Sequence, residues 1–162
     1  MSDTSSLVWD LNVPLQSPFF AHCKMVDHQK YGVFACFEKR GDDLLVSCVD
    51  ICKLTVLRSP DPDHPNQKIG DLKGKAGGIV FPNARFLEFL VEYRDFIPPE
   101  FRGVTVCFLG TTFAHANGSE FVSCLEHIPT SHNTEETFTV SYRHLDSPMT
   151  GCAAAVLKLV DS

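Results

Sequence analysis

The chain contains 162 residues, of which 44% are hydrophobic and 21% are charged, and its formal net charge is −6 at pH 7. This composition is ordinary for a folded domain and excludes a largely disordered chain. The sequence has no run of about 18 apolar residues, so it predicts no membrane span. Residues 1–6 lack the basic and apolar stretches of a secretory signal. We therefore expect one domain over residues 1–162, located inside the cell in the nucleus or cytoplasm.

Strands dominate the first part of the chain. Residues 1–20 are expected to form an irregular or edge-strand lead-in, because two prolines interrupt them. The apolar segment Tyr31–Phe37 predicts a strand, and the Gly and Asp content of residues 39–43 predicts a hairpin turn after it. The β-branched and apolar run Leu44–Leu57 predicts either one bent strand or two short strands with a break near Cys52.

The middle of the chain contains the clearest helix. Three prolines between Ser59 and Asn66 exclude regular structure, and this irregular segment continues through residues 73–78. A short strand is predicted at Gly78–Phe81. An amphipathic helix is then predicted over Asn83–Ile97, where Asn83 can cap the first turn and Pro98 ends the last one. Its apolar residues recur at helical spacing and form one face: Phe86, Phe89, Leu90, Tyr93, Phe96 and Ile97.

The second half again alternates like strands. Three further strands are predicted over residues 104–109, 120–128 and 138–144. In the last of these, the period of two turns Phe138, Val140 and Tyr142 inward. The tail over residues 152–160 fits either a strand or a short helix, and its three alanines favour the helix.

The two halves share short sequence matches. The matched segments are Gly32–Phe37 with Gly103–Phe108, Val46–Asp50 with Val122–Glu126, and Leu54–Val56 with Phe138–Val140. These matches predict an internal repeat of residues 31–97 and 103–160, and chance similarity between β-rich segments is the alternative. The expected fold class is α+β: an antiparallel, β-rich chain with a duplicated ββββα unit and one clear amphipathic helix over residues 83–97.

Residues 31–97, about two-fifths of the chain, resemble a known nucleic-acid-binding unit. A hairpin, a Pro-rich excursion and the segment Gly74–Phe81 lead directly into the helix. This order is similar to the strand-strand-strand-strand-helix unit of the Pur-type, Whirly-type and positive-cofactor-four-type proteins. The resemblance is one of pattern. It implies a curved antiparallel sheet that holds single-stranded DNA or RNA, with helices packed behind it, in a homo-oligomer without catalytic activity or a cofactor.

Candidate binding residues follow from this resemblance by position alone. It implies phosphate contacts from six basic residues: Lys39, Arg40, Lys53, Arg58, Lys73 and Lys75. It implies that Phe34 offers a ring on which a base stacks. The ordinary alternatives are solvated surface charges for the basic residues and a core position for Phe34.

The charge distribution supports a second hypothesis. Basic residues slightly outnumber acidic ones over residues 24–85, whereas acidic residues are in excess over residues 100–162. An acidic half is a poor surface for nucleic acid. The alternative function is therefore a β-rich protein-interaction, oligomerisation or structural module, such as a viral or host assembly component, that binds a protein partner through residues 100–162.

A metal site is the first chemical alternative. The seven cysteines, with no signal peptide, suggest free thiols in a reducing compartment that pack as small apolar groups. Cys48 and Cys52, together with His22, Cys23 and His28, offer soft ligands. On a continuous strand, however, Cys48 and Cys52 would lie about 13 Å apart, too far to share an ion. We expect no metal.

Cysteine-dependent catalysis is the second chemical alternative. His127 follows Cys124 by three residues, and His115 follows Cys107 by eight. Residues three apart on a strand face opposite sides, so Cys124 and His127 should not meet. The glycines of Gly74–Gly78 precede a strand, whereas a phosphate-binding loop opens a helix. We expect no catalytic residues.

Overall fold

The computed structural model describes residues 6–12, 23–31, 35–47, 50–58, 68–74, 80–128, 137–148 and 151–160. In this part of the chain, nine strands form one sheet, accompanied by two α-helices and two short 3-10 helices. The strands are β1 (Ser6–Trp9), β2 (Cys23–His28), β3 (Ala35–Arg40), β4 (Asp43–Val46), β5 (Cys52–Arg58), β6 (Thr105–His115), β7 (Glu120–Ile128), β8 (Thr137–His144) and β9 (Cys152–Leu159). The helices are α1 (Ile69–Gly74) and α2 (Ala84–Glu92), and the 3-10 helices are Arg94–Phe96 and Pro99–Phe101. The β-rich, largely antiparallel architecture is confirmed, and none of the described helices is long and apolar enough to cross a membrane.

The sheet joins the two halves of the chain through the tail. Its strand order is β1-β3-β4-β5-β9-β6-β7-β8, and β2 pairs with the distal end of β6. All pairings are antiparallel except that between β6 and β9. The tail is a central strand rather than a helix. Ala153 and Ala155 contribute to the core on one face and Ala154 to that on the other, so small side chains are buried on both faces of β9.

The predicted β3–β4 hairpin is confirmed, with a shorter turn than expected. Arg40 already pairs with Asp43 across the two strands. Gly41 has a φ of 62°, the left-handed conformation that a two-residue hairpin turn requires. The run after the hairpin forms two separate strands, β4 and β5, so the alternative with a break near Cys52 is the one observed.

Helix α2 begins as predicted but ends five residues early. Asn83 caps it by accepting a hydrogen bond from the backbone N–H of Phe86. The helix ends at Glu92, and the remaining residues form the first 3-10 helix. Burial is not confined to the predicted stripe, because Arg85 and Leu87 are also buried. Against the sheet, the ring of Phe89 stacks on Phe37 with 3.9 Å between centroids.

Helix α1 covers the opposite face of the sheet, where the sequence predicted an irregular segment. Ile69 and Leu72 are buried against the side chains of β6, β7 and β9. Backbone hydrogen bonds from Ile69 N–H to Ser147 O and from Gly70 N–H to Leu145 O, both 2.9 Å long, attach the helix to the end of β8. A six-residue helix has too few turns to show a readable period, and its stability comes from this packing.

Strand β6 is longer than predicted and is interrupted by a bulge. Its register with β7 shifts between Phe108 and Phe113. Within the bulge, the N–H of Gly110 donates to the carbonyl of Pro82 at 3.0 Å, and the Gly110 carbonyl accepts from Gln29 N–H at 2.7 Å. The bulge therefore anchors the segment that enters α2. Strand β2, which pairs beyond this point, was not predicted.

The internal repeat is matched only at the level of strand order. Each half contains a three-stranded antiparallel meander, β3–β5 and β6–β8. The register differs, because Phe37 pairs with Val46 whereas Phe108 pairs with Ser123 rather than Val122. The second half also continues into β9 instead of a helix. The structure therefore does not confirm a duplicated ββββα unit.

Candidate nucleic-acid interface

The basic residues predicted from the sequence lie on both faces of the sheet. Arg40 forms an ion pair with Glu38 at 2.9 Å, and Lys53 forms one with Asp43 at 2.9 Å. The hydrogen bond to Asp43 raises the pKa of the Lys53 ammonium group. Lys39 points to the opposite face from Arg40, because successive strand residues alternate. Both ion pairs are on the surface, where such pairs add little stability.

The other predicted residues add no further side chain to these surfaces within the described part of the chain. Arg58 is the last residue of β5 and pairs with Ala153, and Lys73 lies in α1. The side chains of both fall outside the described part of the chain, as do Lys75 and Phe34 entirely. Of the described candidates, Lys39 alone lies next to further cationic residues.

A cleft lies where Lys39 approaches the end of helix α2. Its volume is about 560 Å³. Three cationic side chains line it, from Lys39, Arg94 and Arg102, together with two acidic ones and the ring of Phe138. The complete lining of this feature, called the cleft below, is Lys39, Asp42, Arg94, Asp95, Ile97, Pro98, Pro99, Arg102 and Phe138. The Lys39 ammonium group donates to the backbone carbonyl of Asp95 at 2.6 Å.

The two arginines lie on either side of the proline pair Pro98–Pro99. Each lies in or next to a 3-10 turn: Ile97 N–H donates to the Arg94 carbonyl at 3.1 Å, and Arg102 N–H donates to the Pro99 carbonyl at 3.2 Å. Phe101 is buried within the second turn and anchors it to the core. The backbone is therefore fixed while both guanidinium groups are exposed at the rim.

A second feature lies on the same face of edge strand β8. Alternate residues of this strand share one face, beginning with Phe138 and Val140 against the core and ending with Tyr142 and His144. Tyr142 is 43% exposed, so the prediction that it turns inward is wrong. Among the described residues, β8 is the last strand of the sheet, so Tyr142 lies at the sheet edge.

Aromatic and imidazole rings surround Tyr142 in what we call the aromatic end. The ring of Phe121 lies 5.1 Å from Tyr142, centroid to centroid, and 4.4 Å from His115, on which it stacks. The His144 ring lies 5.7 Å from both Tyr142 and His115. His115 and His144 also line a shallow, open depression with Asn117 and Ser119. Phe121 is buried and both histidines are half-buried, so Tyr142 is the ring of this group that offers an exposed surface to a ligand.

Strand β8 runs from the cleft to the aromatic end. Phe138 belongs to the cleft, and Tyr142 follows it by four residues, or about 13 Å of extended strand. His127 lies beside Phe138, with 5.1 Å between ring centroids, and its Nδ1 accepts from Gly103 N–H at 3.0 Å. Strand β8 therefore connects a cationic cleft to the exposed ring of Tyr142.

Sequence reasoning missed most of these residues. Arg94 and Arg102 lie on either side of the proline pair, and this position is the one feature of the sequence that could have identified them. His115 and His144 come together only through the pairing of β6, β7 and β8. Tyr142 was expected inside because the alternation of β8 reveals the strand without revealing that it is an edge.

The alternative chemistries find no support in the described residues. No group of three His, Cys, Asp or Glu side chains there could hold a metal ion; Cys48 and His22 lie outside this part of the chain. Cys124 contacts Cys107, whereas His127 lies against Phe138 on the other face, as the strand period predicted.

Comparison with protein-family models, with curated proteins and with solved structures finds no match for this chain. The function is therefore inferred from the cleft and the aromatic end.

Proposed function

We propose that this protein binds single-stranded DNA or RNA without catalysing a reaction. The nucleic-acid strand would lie along β8, with its phosphates in the cleft and its bases on the aromatic end. One observation carries the proposal: three cationic side chains line a cleft that Phe138 of edge strand β8 also lines, and the exposed ring of Tyr142 lies farther along the same face of that strand. Proteins that hold single strands without sequence preference combine these two elements.

The charges of the cleft favour a phosphate over a neutral ligand. Lys39, Arg94 and Arg102 outnumber Asp42 and Asp95, so the cleft is locally cationic in a chain of net charge −6. Guanidinium groups form paired hydrogen bonds to phosphate oxygens. The surrounding negative charge repels the rest of a polyanion, which favours a short contact of a few nucleotides.

The aromatic end supplies the part of the affinity that is independent of salt. A base stacked on an aromatic side chain contributes about 1–3 kcal/mol. Tyr142 is the exposed ring, and the rings of Phe121 and His144 pack against it. From Phe138 to His144 the strand covers about 20 Å, enough for a few nucleotides in an extended conformation.

The proposal retains the Pur- and Whirly-like fold suggested by the sequence. It places the binding surface on a different part of the sheet from the one that the resemblance implied. The two meanders, β3–β5 and β6–β8, are consistent with two halves related by duplication. The surface lies at the edge strand of the second half, and Lys39 is the candidate from the first half that belongs to it. Arg40 and Lys53 are on the opposite face, paired with carboxylates.

Fluorescence anisotropy with labelled single-stranded DNA and RNA, at two salt concentrations, tests the proposal. We expect saturable binding that weakens with salt, with a slope of log affinity against log salt near −2, since each of three phosphate contacts contributes about −0.7. A duplex of the same sequence should compete poorly, because its bases are not free to stack. Absence of binding at low salt would contradict the proposal.

Self-association is the second candidate function, and one observation favours it. Ile51, Leu159 and Val160 are 53%, 68% and 43% exposed, and Ile51 and Val160 are adjacent, since Val160 N–H donates to the Ile51 carbonyl at 3.1 Å. A second copy of this chain would cover them. Three side chains are far fewer than the roughly 20–30 residues per partner of a stable interface, so the dimer would depend on concentration. Light scattering at high salt tests this: a dimer that Leu159→Asp abolishes supports it, and a monomer at every concentration refutes it.

A further inference from the structure

Three cysteines come together in the core beneath helix α1. Cys107 on β6 and Cys124 on β7 are directly opposite each other, and their sulfur atoms are 3.1 Å apart. Cys152, the first residue of β9, belongs to the same buried cluster, on the strand that pairs with the other side of β6. Neither the nucleic-acid proposal nor the self-association proposal uses this cluster, which we call the thiol cluster.

The backbone places Cys107 and Cys124 in reach of a covalent bond. A disulfide requires Cα atoms about 4.4–6.8 Å apart and an S–S distance of about 2.05 Å. Directly opposed residues of an antiparallel pair have Cα atoms about 4.5–5.5 Å apart. The two sulfur atoms therefore need to approach by about 1 Å, which side-chain rotation can supply without moving either strand.

Exposure distinguishes one of the three thiols from the other two. Cys107 and Cys124 are completely buried, whereas Cys152 retains 7% exposure. Ile69 and Leu72 of α1 pack against the cluster and cover the buried pair. A small reagent that reacts with the folded protein should therefore reach Cys152 first.

We propose that the thiol cluster is a thiol–disulfide exchange site, in which a small disulfide such as oxidised glutathione reacts at Cys152 and the bond passes inward to Cys107 and Cys124. First, the Cys152 thiolate attacks one sulfur of the reagent and releases one reduced thiol. Cys107 then attacks Cys152 and releases the second. Cys124 finally attacks Cys107 and regenerates the free Cys152 thiol. Two cysteine thiols are oxidised, one reagent disulfide is reduced to two thiols, and the two cysteine protons end on those products.

The environment makes this exchange slow and selective. Hydrogen bonding with the neighbouring cysteine and burial raise the pKa values of Cys107 and Cys152, so few thiolates form at neutral pH. Arg143 acts in the other direction on Cys152, because its positive charge favours the thiolate. Exchange over hours is therefore expected.

The test incubates the native full-length chain with oxidised glutathione, alkylates the remaining thiols after unfolding, and maps the disulfides by mass spectrometry of a non-reducing digest. The wild type should yield a peptide pair that joins Cys107 to Cys124. Cys124→Ala should stop the transfer one step earlier and yield Cys107 joined to Cys152. Cys152→Ala should slow formation of the inner disulfide about tenfold or more, because it removes the least buried thiol of the cluster.

Cys23→Ala and Cys36→Ala are the matched controls, since both thiols are partly exposed and lie outside the cluster. Each should leave the rate of the inner disulfide unchanged. The inference is overturned if all three cluster thiols stay free while Cys23 and Cys36 react, or if Cys152→Ala oxidises at the wild-type rate. If Cys124→Ala does not fold, the disulfide map of the wild type and the oxidation rate of Cys152→Ala still test the proposal. Circular dichroism before mapping verifies that each variant is folded.

Discussion

Gly110 lies directly against the backbone of Asn83. A Cβ atom at position 110 would come within 2.7 Å of both the N and Cα atoms of Asn83, and within 2.7 Å of the Phe81 carbonyl oxygen. The bulge of β6 thus forms the surface over which the chain enters α2. The position of the central helix relative to the sheet depends on this contact.

Gly110→Ala should destabilise the protein by about 2–3 kcal/mol or more, because the new methyl group meets rigid backbone. The free energy of unfolding in urea measures the effect. Gly41→Ala is the control: it has open space around it, and its φ of 62° should make it cost only about 1–2 kcal/mol. Equal losses for the two variants would show that the close approach to Asn83 does not matter.

Asn83 should be hard to replace even by residues that cap helices. Its side-chain amide donates to the carbonyls of Leu11 and Gln29, each at 2.8 Å, while its oxygen caps Phe86. Asn83→Ala loses the cap and both donors and should cost about 3 kcal/mol or more.

Asn83→Asp separates these two contributions. It keeps the capping oxygen and sets a carboxylate against two carbonyl oxygens, so it should still cost about 2 kcal/mol. Urea unfolding at neutral pH measures both variants. Wild-type stability of Asn83→Asp would mean that the two bonds donated by the amide contribute nothing.

The local patterns of the sequence predicted strands well and connections poorly. The segment Glu120–Ile128 is a strand over the expected residues, because its apolar pattern is long and the turn-forming residues Gly118 and Pro129 flank it. The tail 152–160 was left open, since three alanines favour a helix in isolation. Tertiary packing decides otherwise: a central strand between two helix layers needs small side chains on both faces. Helix α1 is fixed by hydrogen bonds to residues about 75 positions away, which no local pattern reveals.

Removal of one arginine from the cleft should reduce both affinity for a single strand and its salt dependence. Arg94→Ala and Arg102→Ala should each lower the slope of log affinity against log salt by about 0.7, because one phosphate contact is lost. Anisotropy titrations over a series of salt concentrations provide this slope. An unchanged slope for both variants would place the phosphates elsewhere.

Tyr142 should contribute affinity by stacking rather than by charge. Tyr142→Ala should weaken binding by about 1–3 kcal/mol and leave the salt slope unchanged. Tyr142→Phe keeps the ring and is the matched control, with affinity close to that of the wild type. If Tyr142→Phe weakens binding as much as Tyr142→Ala, the hydroxyl group rather than the ring makes the contact.

The binding surface could be predicted from the sequence only in part. Lys39 and Arg40 were assigned from the first hairpin and Lys53 from the long strand that follows it. The register places Arg40 and Lys53 on the opposite face from Lys39, where they pair with Glu38 and Asp43. A surface formed by several strands depends on their order, and β9 enters between the two meanders. Local periodicity contains no information about that order.

The most direct measurement compares two double variants with the same change in net charge. Arg94→Ala with Arg102→Ala alters the cleft, and Arg40→Ala with Lys53→Ala alters the opposite face. Affinity for one labelled single-stranded oligonucleotide at low salt is the readout. We expect the cleft variant to lose about tenfold or more, through two phosphate contacts, and the opposite-face variant to bind nearly as the wild type does. Equal losses would contradict the interface proposed along β8.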